Sequence, residues 1–193
     1  MNDKFVKISL VFLLVTILTS VVIFTGQLGF QITAKEEEAS KPEEECPIRT
    51  EKRIVRGSSL SPLIESGETV EVFFNYYDCN EVKRGDVVLY NYAGSRNLLI
   101  KVVRGVSGDS FELKEKTGGW RILINGRAIK NSAGEYHLIP DRKVKMLTLY
   151  EKSYDGRIPE NAYLLLGESI SGTTDSSRFG FVHKNDLQAR VNR

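Results

Sequence analysis

The chain has 193 residues, 41% hydrophobic and 27% charged, with 27 Lys and Arg against 25 Asp and Glu for a formal charge of +2. That length fits one domain with accessory segments. A charge so near balance, with no basic stripe interleaved with aromatics, argues against a nucleic-acid partner.

The first element in chain order is apolar. Lys7 to Phe24, KISLVFLLVTILTSVVIF, carries no charge after Lys7. At ~1.5 Å rise per residue it is long enough for a ~30 Å hydrocarbon core. A cleaved secretory peptide has an apolar stretch of roughly 7–15 residues followed by a small-x-small site. This run is longer, and no clean site follows it. Residues 1–30 are therefore predicted to be a cytoplasmic tip and a retained transmembrane signal-anchor helix, with the lipid bilayer as a partner. Lys4 and Lys7 lie before the run and Glu36, Glu37 and Glu38 after it. The positive-inside rule then places the N-terminus in the cytoplasm and the remainder on the outer side of the cell membrane.

Residues 31–51 follow as an acidic tether, with AKEEEASKPEEECP at its centre; the composition is that of a solvated linker. The two cysteines, Cys46 and Cys79, both lie beyond the anchor. In an oxidising compartment they can pair, closing a loop worth roughly 3–4 kcal/mol in the chain-entropy model; the alternative is two unrelated thiols. Neither has a His or second Cys at ligand spacing, so neither a metal nor another cofactor is expected.

Residues 52–193 read as a β-rich domain. Short runs of strand character recur: KRIVR (52–56), ETVEVFF (68–74), DVVLY (86–90), LLIKVVRG (98–105), WRILINGRAI (120–129), KMLTLY (145–150) and AYLLLG (162–167). Val, Ile, Leu, Tyr and Phe dominate them, with Gly, Asn and Asp between. Asn125-Gly126 between apolar flanks predicts a hairpin, because both residues tolerate positive φ. No segment beyond the anchor holds a helical period for long. The stretch from about 110 to 160, richer in Lys and Gly, is expected to form a less compact ribbon. Arg84-Gly85-Asp86 spells an adhesion tripeptide but runs directly into VVLY, which reads as a turn into a strand.

Two features carry chemistry. In IVRGSSLSPLIESGETV, Gly57 allows close backbone approach and Pro62 stiffens the exit, leaving Ser59 to project from a tight corner. Lys101 is the unusual cation. Alternation puts Leu99, Lys101 and Val103 on one face of a strand and Ile100 and Val102 on the other. Both faces are apolar, as in a strand buried on both sides. Desolvation lowers a lysine pKa by up to ~3–5 units, towards neutrality, where the free amine can take a proton from a hydroxyl. The other reading is an edge-strand lysine that guards against aggregation; alternation alone leaves both open. His137 and His183, the two histidines, sit in GEYHLIP and VHKND, neither a compelling frame for a base.

Taken together, these stretches resemble the type I signal peptidases. GSSLSPL resembles the family's serine box, Gly-x-Ser-Met-x-Pro-Thr, with Gly57, Ser59 and Pro62 matching and Leu60 and Leu63 replacing Met and Thr. KRGDVVLY looks like the Arg-Gly-Asp-Val-Val segment. IKVVRGVSGD resembles the lysine box, Ile-Lys-Arg-Val-x-Gly-x-x-Gly-Asp, with Lys101, Gly105, Gly108 and Asp109 in place. LLLGESISGTTDSSRFGFV resembles the last box, Gly-Asp-Asn-x-x-x-Ser-x-Asp-Ser-Arg, through Gly167, Asp175, Ser176 and Gly180. That box departs from the pattern: Glu168 stands for Asp, Ser169 for Asn, and Ser177 where an arginine partner of Asp175 is expected.

The resemblance implies a signal-peptidase-like antiparallel β-sheet catalytic domain. It implies Ser59 as nucleophile and Lys101 as general base. Gly57, Ser58, Thr173 and Asp175 become oxyanion or support residues, Thr173 by bonding the lysine and Asp175 through a structural ion pair. Val55, Leu60, Ile64 and Ile100 match positions that line shallow apolar substrate pockets, although plain core packing explains them too. The expected activity is cleavage of N-terminal signal peptides from exported precursor proteins. The alternatives are a conjugation-type or specialised peptidase of the same clan, and a non-catalytic membrane-tethered β-domain.

Overall fold

The computed structural model describes residues 46–92, 98–169 and 173–193. The predicted anchor and most of the predicted tether lie outside the described residues. No helix among the described residues is long and apolar enough to cross a membrane.

In chain order the elements are β1 (Arg49–Ile54), β2 (Thr69–Phe74), the short helix α1 (Tyr76–Cys79), β3 (Val87–Asn91) and β4 (Leu98–Gly105). β5 (Phe111–Lys116), β6 (Gly119–Ile124), β7 (Arg127–Ala128) and helix α2 (Asp141–Ser153) follow. β8 (Ala162–Leu166), helix α3 (Ser176–Phe179), β9 (Val182–His183) and β10 (Leu187–Asn192) complete the order. Seven strands form one sheet in the order β1-β2-β10-β3-β4-β8-β9, and β5-β6-β7 form a second. Neighbours pair antiparallel throughout. The mainly antiparallel β architecture is thus as expected. β1 begins at Arg49, inside the segment assigned to the tether.

Alternation explains how the large sheet is packed. In β2, Val70, Val72 and Phe74 point inward while Thr69 and Glu71 are exposed. β4 and β8 are interior strands and serve two faces. Ile100 and Val102 of β4 join Val55, Leu60, Ile64 and Val72 in one apolar cluster. Leu99 and Val103 join Tyr90, Tyr163 and Leu165 in another. β8 is buried at all five positions, and Leu164 and Leu166 turn away from Leu165 towards the small sheet. An unbroken apolar run is the sequence mark of such a strand.

The 110–160 stretch is not a loose ribbon. Phe111, Leu113, Ile122 and Ile124 of the small sheet pack with Val144 and Leu147 of α2 and with Ile158 and Leu164 in a core of their own. KMLTLY belongs to α2 and is helical, not strand. Only Val144 and Leu147 of α2 are fully buried, a stripe too narrow to register as a helical period. The helix is held by tertiary contacts instead: Glu151 Oε1 accepts from the Leu113 N–H at 2.8 Å, and Asp141 accepts from Trp120 Nε1 at 3.0 Å. The Asn125-Gly126 hairpin forms as predicted, with φ of 50° and 73° between β6 and β7.

The adhesion-like tripeptide is a turn into β3. Gly85 has φ 92°, and Arg84, itself exposed, donates to the Arg104 carbonyl and to both oxygens of Asp109. Cys46 and Cys79 form a disulfide that ties the start of the described chain to α1.

Candidate active site

Ser59 sits in the turn between β1 and β2. Two bonds close the base of that turn, from Val55 N–H to Glu68 C=O and from Gly67 N–H to Val55 C=O, both 2.9 Å. Gly57 has φ 85°, a left-handed conformation that costs an L side chain but not glycine. Leu60 and Ile64 are buried and joined by one helical turn of backbone, Ile64 N–H to Leu60 C=O at 3.0 Å. These two apolar side chains pin the turn into the core and leave Ser59 half-buried at its rim.

Lys101 comes from β4, between β3 and β8. It is 2% exposed, which removes the edge-strand reading. Its Nζ donates to Ser59 Oγ at 3.0 Å and to the Ile100 carbonyl at 2.7 Å. Burial lowers its pKa to about 8, partly offset by the charge of Asp175. Residues far apart in sequence thus meet as a hydroxyl and a desolvated amine within hydrogen-bond reach, the geometry proton transfer requires.

Asp175 is the electrostatic centre behind the pair. It is buried and caps α3. Oδ1 accepts from Ser177 N–H at 3.0 Å and Ser177 Oγ at 2.6 Å. Oδ2 accepts from Gly167 N–H at 3.2 Å and from the Thr173 hydroxyl. The position where the resemblance expects an arginine therefore supplies two uncharged donors, and Asp175 forms no ion pair among the described residues. Thr173 also differs from expectation. Its hydroxyl donates to Asp175, and Lys101 donates to Ser59 and to the Ile100 carbonyl with no bond to Thr173 among the described residues.

Several contributors were missed by sequence reasoning. The Glu168 N–H donates to the Ser59 carbonyl at 2.8 Å, fixing the peptide of Ser59 itself. Glu168 is fully buried and its carboxylate pairs with Arg104 of β4. The signal in the sequence was an acid directly after Gly167 and a base three residues after Lys101. Gly167 has no room for a side chain, since a Cβ there would lie 2.7 Å from the Ser59 carbonyl oxygen. Tyr90 is buried, and desolvation, with the Asp175 charge, raises its pKa.

The remaining predicted residues divide by exposure. Val55, Leu60 and Ile64 are core, and Ile100 packs half-buried against them. The Ser58 side chain is exposed. The Ser59 N–H makes no hydrogen bond among the described residues. His137 is buried, its pKa lowered by desolvation and by Arg104. His183 is exposed and accepts from Asn185 N–H. The Ser59 hydroxyl is bonded to neither.

The family model for "Signal peptidase, peptidase S26" matches residues 47–193. The chain belongs to this family. Its members are serine peptidases of the type I signal peptidase class, and the peptidase resembles several of them in sequence. It is 27% identical over 141 residues to signal peptidase I of Bacillus caldolyticus, covering 72% of this chain and 75% of that one. Against signal peptidase IB of Staphylococcus aureus the identity is 27% over 146 residues, covering 71% and 73%. A signal peptidase I structure from Enterococcus faecalis aligns with TM-score 0.42 at 17% identity, over 58% of this chain and 98% of that chain.

Proposed function

We propose that this peptidase is a membrane-anchored serine endopeptidase that removes N-terminal signal peptides from exported precursor proteins, with Ser59 as nucleophile and Lys101 as general base. The observation that carries the reading is the 3.0 Å approach of Lys101 Nζ to Ser59 Oγ, with the amine buried and its pKa near 8. Family membership supports the substrate class.

In the reaction the uncharged amine takes the Ser59 hydroxyl proton as Oγ attacks the scissile carbonyl carbon. The negative oxygen of the tetrahedral intermediate is placed against the Ser59 N–H, a donor with no partner among the described residues; losing one such donor costs ~2.7–4 kcal/mol in the barrier. The Lys101 ammonium then protonates the leaving nitrogen, the C–N bond breaks, and the acyl group stays on Ser59. A water deprotonated by the same amine hydrolyses the ester and restores both groups. No step needs a histidine or a metal.

Residues 7–24 anchor the chain with its N-terminus in the cytoplasm, so the catalytic unit works at the outer bilayer surface. A substrate held by its own apolar segment in the same bilayer presents its cleavage site as an extended strand, bonded through its main chain. Ile100, half-buried beside the lysine, is the apolar residue best placed to meet substrate, with Val55, Leu60 and Ile64 supporting it from the core.

The test is precursor processing by the full chain carrying Ser59→Ala or Lys101→Ala. Both variants should fold and neither should process; wild-type-like processing by either one rejects the dyad. Labelling of Ser59 by an acylating penem separates a live nucleophile from a non-catalytic tethered domain.

A further inference from the structure

A cavity of about 500 Å³ lies between helices α2 and α3, lined by Arg142, Lys143, Lys145, Met146, Thr173, Thr174, Ser177 and Arg178. Four of its eight lining residues are cations, three carry hydroxyls and none is a carboxylate. The acids nearby are already engaged. Asp175 is buried beneath the rim and accepts from Thr173 and Ser177. Asp141 accepts from Trp120, and Glu151 faces the Leu113 N–H. The charge that lines the cavity is therefore all positive, and the one exposed acid of α2, Asp141, lies at its first turn outside that lining.

The same helix also exposes apolar surface. Leu149 is 58% and Met146 37% exposed, and at three residues' separation they share a face. Arg142, Lys145 and Lys152, all exposed, stand around them on that face. A helix that shows Lys and Arg beside Leu and Met to solvent has the composition of one lying in a lipid interface, its apolar residues among the acyl chains and its cations at the headgroups. A soluble anion or an acidic peptide would use the cations but leave Leu149 and Met146 without a role.

We infer that the α2–α3 cavity is a headgroup site for an anionic phospholipid, the phosphodiester held by Arg142, Lys145 and Arg178 while Met146 and Leu149 enter the bilayer edge. The inference rests on the membrane placement proposed above but not on the dyad. Thr173 links the two sites, lining this cavity while its hydroxyl holds the Asp175 carboxylate behind Lys101. Bound lipid thus stabilises the wall of the catalytic centre.

The single tryptophan, Trp120, reports on the first turn of α2 through its bond to Asp141. The experiment uses the full chain with Ser59→Ala, in vesicles of phosphatidylcholine with increasing phosphatidylglycerol. The expected result is a saturable change in Trp120 emission with the anionic lipid. Each Lys or Arg at an anionic surface contributes roughly fivefold in binding. Combined Arg142→Gln, Lys145→Gln and Arg178→Gln should therefore remove the response, and Leu149→Ser should weaken it. A chain that enters neutral vesicles but ignores phosphatidylglycerol overturns the headgroup site alone. One that enters no vesicles overturns the membrane placement as well. The same emission change from inorganic phosphate, or from an Asp-rich peptide in place of lipid, assigns the cavity to a soluble anion or a peptide and also overturns the inference.

Discussion

The Glu168 N–H donates to the carbonyl of Ser59 at 2.8 Å, so the exit of β8 and the Ser59 turn are joined backbone to backbone. The contact is possible only because Gly167 lacks a side chain. In Gly167→Ala, the added carbon would meet the Ser59 carbonyl at 2.7 Å and the Thr173 hydroxyl at 2.5 Å. Relief requires the serine turn to move, and a displacement of about 1 Å at a reacting atom costs on the order of 10²-fold in rate. Gly167→Ala should lower kcat about a hundredfold or more while costing about 1–3 kcal/mol in stability. Peptide-cleavage kinetics beside urea unfolding check it, and an unimpaired kcat would show that the turn's position is not critical.

Lys101 makes activity and stability depend on pH in linked ways. The proposed mechanism uses the uncharged amine, so kcat/KM should rise with pH and level off above about 8. For stability, the unfolded chain keeps this proton up to about 10.5 and the folded chain releases it near 8. Between those values the unfolded state binds more protons, and stability increases with pH. Below about 8 both states are protonated and the whole cost of the buried charge is present, on the order of 3 kcal/mol. Lys101→Met should therefore be inactive yet more stable than the parent at pH 7, with the rise between pH 8 and 10.5 gone. Denaturant melts across that range decide it, and a destabilised Lys101→Met would contradict the desolvation account.

The Arg104–Glu168 pair bridges the lysine strand to the segment that holds Ser59. Arg104→Met alone leaves the Glu168 carboxylate buried with Ser132 N–H as its remaining partner. Breaking a buried pair in this way costs about 3–5 kcal/mol, whereas replacing both members by apolar residues is often nearly neutral. Arg104→Met should lose stability by that amount, and Arg104→Met with Glu168→Met should regain most of it. A double variant no better than the single one would mean that the Glu168 charge, and not its loneliness, is what the fold requires.

Legibility followed the length scale of the signal. Lys101 could be read as one of two things, a buried amine or an edge-strand lysine, because an apolar run on both strand faces points to an interior strand without deciding it, and β4 is interior. Asn125-Gly126 was readable because its turn depends on two adjacent residues alone. Helix α2 was not, since it buries only Val144 and Leu147 and owes its place to Glu151 and Asp141 contacts with residues distant in sequence. The Asp175 cradle was hidden for a similar reason. An arginine was expected from the resemblance, and nothing in one sequence says that Ser177, with Thr173, would satisfy the carboxylate by hydroxyls instead. Arg104 and Glu168 were visible as charges but not as partners, because 64 residues separate them and one sequence does not say that the segment after β8 returns to β4.

The disulfide joins the residues before β1 to α1, not to Ser59 or Lys101, and should affect stability without touching chemistry. Cys46 and Cys79 are 33 residues apart, and closing a loop of that size contributes roughly 3–4 kcal/mol, chiefly by restricting the unfolded chain. The bridge fastens the residues before β1, an edge strand whose side chains are mostly exposed and which little apolar burial holds. Cys46→Ser with Cys79→Ser should therefore lower the urea midpoint and increase hydrogen exchange first in β1. The Val55–Glu68 and Glu168–Ser59 bonds hold the serine turn independently, so kcat at a temperature where the variant is folded should stay within about twofold of the parent. If kcat falls with stability in step, the turn takes its position from β1 and not from β8.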